Sequence, residues 1–261
     1  MRWVSLKSFI VPIVCLVTEV LLIRVQDFHK SYGKTVAVEG LSFEVNAGEI
    51  LGLVGPNGAG KTTTLRSLVG IITPTRGELA VGGYNITQES INAKRLLAYV
   101  PDDPKLFDSL TIWEHLQFIA STYRIRDFSE PATRLLERFE LLEKRDTIAQ
   151  ELSRGMRQKV AICCAYLHDP KVILFDEPLT GLDPRGIRTA KDSITENARS
   201  GAAVIISSHL LSLVEDLCTH YLILSRGKML FFGRKEDAQA QYAGTGDSAS
   251  LEEIFFRATE G

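Results

Sequence analysis

Cysteine is scarce in this 261-residue chain. The four present (Cys15, Cys163, Cys164 and Cys218) form no C-x-x-C pair and no metal-binding spacing with the five histidines. That excludes a disulfide framework or a zinc module as the organising device and fits a reduced compartment, with the thiols read as small core residues. Charge of one sign is missing as well. The formal net charge is −2, and without a polybasic run or basic face no nucleic-acid partner and no anionic membrane surface is implied. No run reaches the roughly 20 apolar residues that a membrane-spanning helix needs, so the chain brings no bundle of spanning helices of its own. A length of 261 residues at 45% hydrophobic content is nevertheless enough for one sizeable core with a subdomain.

The amino terminus stands apart. Between Lys7 and Glu19 lies the uncharged SFIVPIVCLVT, interrupted by Pro12, which is too short to span and resembles a signal-peptide hydrophobic region. A nucleotide-using domain, however, needs a cytoplasmic nucleotide supply. Residues 1–19 are therefore read as a hydrophobic extension of doubtful role, a non-native or wrongly assigned start. The domain proper runs from 20 to 235, followed by a tail, 236–261, with one short helix.

The organising stretch is EILGLVGPNGAGKTTT, residues 49–64. Its apolar start reads as a buried strand and empties into the spacing G-x-x-x-x-G-K-T from Gly55 to Thr62. Glycines let the backbone of Gly55, Pro56, Asn57, Gly58, Ala59 and Gly60 curl so that N–H groups face inward. A helix beginning near Lys61 adds its positive dipole end, which makes a phosphate cradle. Lys61 is expected at the β- and γ-phosphates and Thr62, next to Thr63, on Mg²⁺.

Ahead of this loop, LLIRVQDFHKSY, KTVAVEG and LSFEVNAGE read as three strand candidates with turn glycines at Gly33, Gly40 and Gly48, a small antiparallel sheet. Tyr32 precedes the turn Gly33-Lys34, where an exposed ring can stack on a flat base, although an aromatic there, taken alone, is more often packing. After the loop helix, GELAVGGYNI reads as a hairpin region. Residues 89–168 read as a mainly helical block inserted into an α/β frame. The block holds a short strand, Leu97–Val100, and a carboxylate-bearing loop at Pro101-Asp102-Asp103-Pro104. It also holds a capping box, Thr111-x-x-Glu114, and a helix from Glu130 to about Leu142.

LSRGMRQ, residues 152–158, opens a further helix. Ser153 and Gly155 there offer a hydroxyl and free N–H groups to an anion, and Ser153 also suits an ordinary N-cap. In KVILFDEPLTGLDP, a buried parallel-type strand ends in Asp176 and Glu177. Ligands of such sheets sit at the carboxyl ends of strands, which places both acids beside the phosphate loop. Asp176 then suits Mg²⁺, and Glu177 suits the group that orients or deprotonates water. A last unit runs from a helix at Pro184 through strand Ala203–Ile206 to His209, which suits a satisfied surface residue and is also placed to contact a γ-phosphate, and then a helix to Leu217. Strands at Tyr221–Leu224 and Lys228–Phe232 close the sheet. A flexible polar lead, Gly244–Ser250, precedes the helix LEEIFFRAT.

Taken together from Val20 onward, these motifs resemble the ATPase subunit of an ATP-binding-cassette transporter, with a pattern similar to the multidrug and antibiotic export branch. Tyr32 matches the stacking aromatic, GPNGAGKT the Walker A loop, LSRGMRQ the signature, VILFDE the Walker B strand, Gly181-Leu182-Asp183 the dimer-contact loop and His209 the switch histidine. The resemblance implies a P-loop core of mainly parallel sheet, an antiparallel β subdomain and an inserted helical subdomain. It implies ATP and Mg²⁺, catalytic Glu177, His209 and Lys61, and metal ligation through Thr62, Asp176 and Asp102. Its implied partners are a second copy or a paralogous ATPase subunit, paired head to tail so that Ser153 and Gly155 of one close over the ATP held by Lys61 and Thr62 of the other, with Asp183 of the dimer-contact loop also expected to bind nucleotide. A separately encoded transmembrane permease is the other. A soluble nucleotide switch without a permease is the alternative; translation-type relatives carry two cassettes, whereas one Walker A is present here. Two departures stand out: Asp102 replaces the usual loop glutamine, and Arg154 and Met156 replace a glycine and the glutamine of LSGGQ.

Overall fold

Strands β3 (Ile50–Val54), β7 (Val172–Asp176) and β8 (Ala203–Ser208) are buried along their whole lengths. Sequences that apolar without alternation fit strands covered on both faces. Side chains alternate between two cores accordingly. Ile50, Val54, Ile173, Phe175, Val204 and Ile206 enter one, with the helices; Leu51, Leu53, Val172, Leu174, Ala203 and Ile205 enter the other. With β6 (Leu97–Val100), β9 (His220–Ser225) and β10 (Lys228–Arg234) they form a six-stranded sheet of order β10-β9-β3-β8-β7-β6. All pairings in it are parallel except that of the edge hairpin, β9 with β10. The computed structural model describes residues 20–242 and 249–260. The extension 1–19 and most of the polar lead Gly244–Ser250 lie outside them.

A four-stranded antiparallel sheet of order β2-β1-β4-β5 covers the second core, built from β1 (Leu21–Tyr32), β2 (Thr35–Asn46), β4 (Arg76–Val81) and β5 (Tyr84–Asn85). Helix α1 (Lys61–Leu68) buries Leu65 and Leu68 in the same core. Two sequence expectations change here. KTVAVEG and LSFEVNAGE are one continuous strand, β2, and Gly40 is not a turn. Its φ of 65° falls inside the strand where the β1–β2 register shifts, so this glycine accommodates a bulge. The sheet also recruits the hairpin β4–β5 from beyond the phosphate loop.

Helices α2 (Ser90–Leu96), α3 (Ile112–Tyr123), α4 (Ser129–Arg138) and α5 (Arg154–Tyr166) account for most of residues 89–168, while β6 within that range is the sheet's edge. The capping box at Thr111 forms: its hydroxyl accepts from the Glu114 N–H, and Glu114 reaches back to the Thr111 N–H. Helix α4 stops at Arg138, earlier than the expected Leu142, because Glu140 turns into left-handed backbone at φ 58°. Helix α6 (Pro184–Arg199) is full length. In contrast, α7 (Leu211–Val214) is one turn rather than a helix to Leu217. Residues 235–242, largely assigned to the tail, form α8 (Lys235–Tyr242), and α9 (Leu251–Glu260) packs on it. Ala238, Leu251 and Ile254 of this pair are buried in the first core.

Candidate nucleotide cleft at the carboxyl ends of the sheet

Parallel pairing brings the loops after β3, β6, β7 and β8 to one edge of the sheet, and a cleft of about 560 Å³ opens there. Its walls are residues 57–63, Asp102, Arg154, Asp176, Glu177, Thr180 and His209, with Thr35, Val36 and Ala37 of β2 at the rim. The loop after β3 needs its glycines. Gly60 holds φ 106°, and a Cβ on it would stand 2.8 Å from the Ala37 carbonyl. The hairpin turn of β9–β10 supports the loop from behind, where the Gly227 N–H donates to the Ala59 carbonyl at 3.2 Å. Helix α1 has no side-chain cap at Gly60, so its first N–H groups open toward the cleft as an anion site.

Lys61 is 7% exposed. Its ammonium donates to the carbonyls of Gly55 at 2.7 Å and Pro56 at 3.3 Å. Burial pulls its pKa down, against the raising influence of Glu177 and Asp176. A buried cation whose bonds go to two neutral carbonyls has unused capacity for an anion.

Asp176, 3% exposed, is the hub of the carboxylate side. Its Oδ1 accepts from Thr62 Oγ1 at 3.2 Å and from the Ser207 hydroxyl, and its Oδ2 accepts from the Tyr99 hydroxyl at 3.3 Å. Tyr99 is pushed up to about 12, first by burial and then by Asp176. Glu177 lies in left-handed backbone, φ 52°. Its carboxylate faces His209 Nδ1 at 2.9 Å and accepts from Ser208 Oγ at 3.3 Å. Among the described residues no group of three or more His, Cys, Asp or Glu is arranged as a metal cage. The donor set that does fit Mg²⁺ is Thr62 with Asp176, since this ion takes one or two protein oxygens and fills its shell with phosphates and water.

Six expected nucleotide contacts are not among the residues that line this cleft: Gly55 and Pro56, whose carbonyls accept from Lys61, and Tyr32, Ser153, Gly155 and Asp183. Tyr32 is 48% exposed at the end of β1, with the Lys30 ammonium 4.9 Å from its ring centre. Ser153 caps α5, accepting from the Met156 N–H at 3.3 Å. Gly155 lies against the loop after β7, where a Cβ would stand 2.6 Å from the Gly181 carbonyl. Asp183 caps α6 through the Gly186 N–H at 3.0 Å and pairs with Lys159 at 3.4 Å.

A family model described as ABC transporter matches residues 38–180. The chain is 31% identical over 241 residues to the ABC-type transporter ATP-binding protein EcsA of Bacillus subtilis, spanning 92% of this chain and 97% of that protein. The chain belongs to the ABC transporter ATPase family. Its relatives include the linearmycin resistance ATP-binding protein LnrL of the same organism, 33% identical over 85% of this ABC ATPase and 72% of that protein. A solved structure described as the ATP-binding subunit of an ABC transporter superposes with a TM-score of 0.87 at 33% identity, covering 91% of this chain and 99% of that one.

In this ABC ATPase, a subunit that binds and hydrolyses ATP, several partners of the two acids carry no signal in the sequence. Tyr99, Ser207 and Ser208 reach the two acids only through the β6-β7-β8 register, which no linear spacing reveals. Arg154 stands out in the sequence only as a departure from the signature. In the structure its guanidinium donates to Asp102 Oδ1 at 2.8 Å, joining the two departures to each other.

Proposed function

We propose that this ATPase is the motor of an exporter at the cytoplasmic face of the cell membrane. Two copies, or this chain and a paralogous subunit, pair head to tail and drive a separately encoded permease. One observation carries the pairing. The cleft gathers Lys61, Thr62, Asp176, Glu177 and His209, while Ser153 and Gly155, two further expected phosphate contacts, lie outside it on the same chain. A second subunit supplies them.

In the closed site Lys61 and the N–H groups of residues 57–63 hold the triphosphate, and Thr62 and Asp176 hold Mg²⁺, which neutralises phosphate charge when bound. Glu177 orients the attacking water and accepts its proton. His209, 2.9 Å from that carboxylate, senses the γ-phosphate. Attack breaks the bond from the γ-phosphorus to the bridging oxygen and releases ADP and phosphate.

The permease reading is supported by a second, mostly apolar groove of about 390 Å³ lined by Leu106, Phe107, Phe118, Ile119 and Tyr123 among others. Phe107 and Phe118 are 54% and 48% exposed. The loop that carries Asp102 into the nucleotide cleft carries Phe107 into this groove, so a permease helix seated there touches the same segment as the nucleotide. Among the described residues no helix is long and apolar enough to cross a membrane. Export is supported by relatives whose names state it, such as the lipopolysaccharide export system ATP-binding protein LptB of Haemophilus influenzae, 34% identical over 82% of this chain and 91% of that protein.

Glu177→Gln tests the reading. It keeps shape and removes basicity, so Mg·ATP binding persists, turnover falls by at least about 100-fold and the trapped pair appears by light scattering as an ATP-dependent dimer. Adding Ser153→Arg abolishes that dimer. A Glu177→Gln protein that binds Mg·ATP, turns it over at the parental rate and stays monomeric overturns both the base and the shared site.

A further inference from the structure

Asp102 is the one carboxylate of the loop after β6 that lines the nucleotide cleft. Each acid of that loop has a cationic neighbour. Asp103 is held by Lys105, Asp108 lies 3.9 Å from Arg157, and Asp102 accepts from Arg154 at 2.8 Å. The Arg154 pair differs from the others in where it sits. Both its members are on the cleft wall with Lys61, Thr62 and Asp176, so Arg154 competes there with any other cation for Asp102.

The course of the arginine is set by the backbone it crosses. Its stem runs along Gly181, where a Cβ would stand 3.3 Å from Arg154 Cδ and 3.5 Å from both Cγ and Nε. Gly181 has φ 79°, a conformation that side chains rarely adopt. The stem thus packs on bare backbone before the guanidinium ends on Asp102. The two side chains are 55% and 49% exposed, so the pair is solvent-screened and opens at small cost.

We infer that Arg154 is a positioning residue that holds Asp102 away from the metal of a bound Mg·nucleotide and yields it when the pair opens. Asp102 is then a switched ligand, and the Arg154–Asp102 pair sets how tightly the metal is bound. The inference rests on the reading of the cleft as a Mg·nucleotide site. It goes beyond that reading by giving each departure from the family pattern a role in terms of the other.

The test is a Mn²⁺ titration of the full chain with ADP present, followed by electron paramagnetic resonance, so that no turnover is needed. Arg154→Gln removes the competitor and tightens Mn²⁺ binding about twofold to fivefold, the range for freeing one partner of an exposed pair. Arg154→Lys restores nearly parental binding. Asp102→Asn weakens it, and in that background Arg154→Gln has no further effect. Unchanged or weaker binding in Arg154→Gln overturns the inference. So does tightening of equal size when Asp102 is already Asn, which makes the effect one of general charge. A Lys61→Ala control separates the two levels: if it binds Mn·ADP as tightly as the parent, or the parent binds none, the nucleotide-site reading itself fails.

Discussion

Asp176 keeps its carboxylate buried because three hydroxyls, from Thr62, Tyr99 and Ser207, converge on it. Buried charge is tolerable only when hydrogen-bonded, and each bond to a charged acceptor contributes about 1.5–3 kcal/mol. Ser207→Ala is therefore expected to lower the unfolding free energy by about that much, read by urea denaturation; a loss under about 0.5 kcal/mol shows that water replaces the hydroxyl. At this scale the sequence was informative wherever spacing along the chain sets the chemistry. Lys61, Thr62, Asp176, Glu177 and His209 were all legible, and all meet in one cleft. Tyr99 and Ser207 were not, because β6, β7 and β8 are far apart in sequence and only their register brings the hydroxyls to Asp176.

Helix α5 and the loop after β7 approach so closely that Gly155 has no room for a methyl group. Two effects oppose each other in Gly155→Ala. Alanine favours helix over glycine by about 1 kcal/mol, while forcing a carbon to 2.6 Å from a backbone carbonyl demands a shift of the kind that costs about 1–3 kcal/mol. Backbone cannot move aside as a flexible side chain can, so the clash wins. Net destabilisation is expected in thermal melts, together with reduced turnover as the 181–183 loop is displaced; a stabilised, fully active variant shows that the loop yields freely. Elements were legible where periodicity spoke. Strands buried on both faces announced themselves as apolar runs, and Thr111 and Glu114 announced a helix start. Glycine did not separate its uses, so Gly40 read as a turn although a bulge demands the same positive φ. Nor does an antiparallel pairing such as β1 with β4 leave any local mark, since its partners lie on either side of the phosphate loop.

Across the whole molecule, buried Tyr221 and half-buried Tyr99 and Tyr166 make the fold sensitive to alkali. Burial raises Tyr99 to about 12, and Tyr166 and Tyr221 are raised further still, again chiefly by burial. In the unfolded chain these phenols ionise near 10. Their raised folded values mean that the native state stays neutral while the unfolded state gains from ionising. The associated stability is complete below about pH 10 and is lost as pH rises toward 12 and beyond. Denaturation midpoints should fall steeply over that window while tyrosinate absorbance lags; a flat midpoint contradicts the burial. The loop joining the two clefts carries a different consequence. It is anchored at one end by the Arg154–Asp102 pair and at the other by the Phe107 N–H, which donates to His115 Nε2 at 2.9 Å. Between those anchors Pro104 locks one torsion, and Pro101, immediately ahead of Asp102, locks another. Each locked torsion removes slack that would otherwise absorb a displacement, so under the proposed coupling a shift of Asp102 would be passed along the loop toward Phe107 instead of dissipating within it.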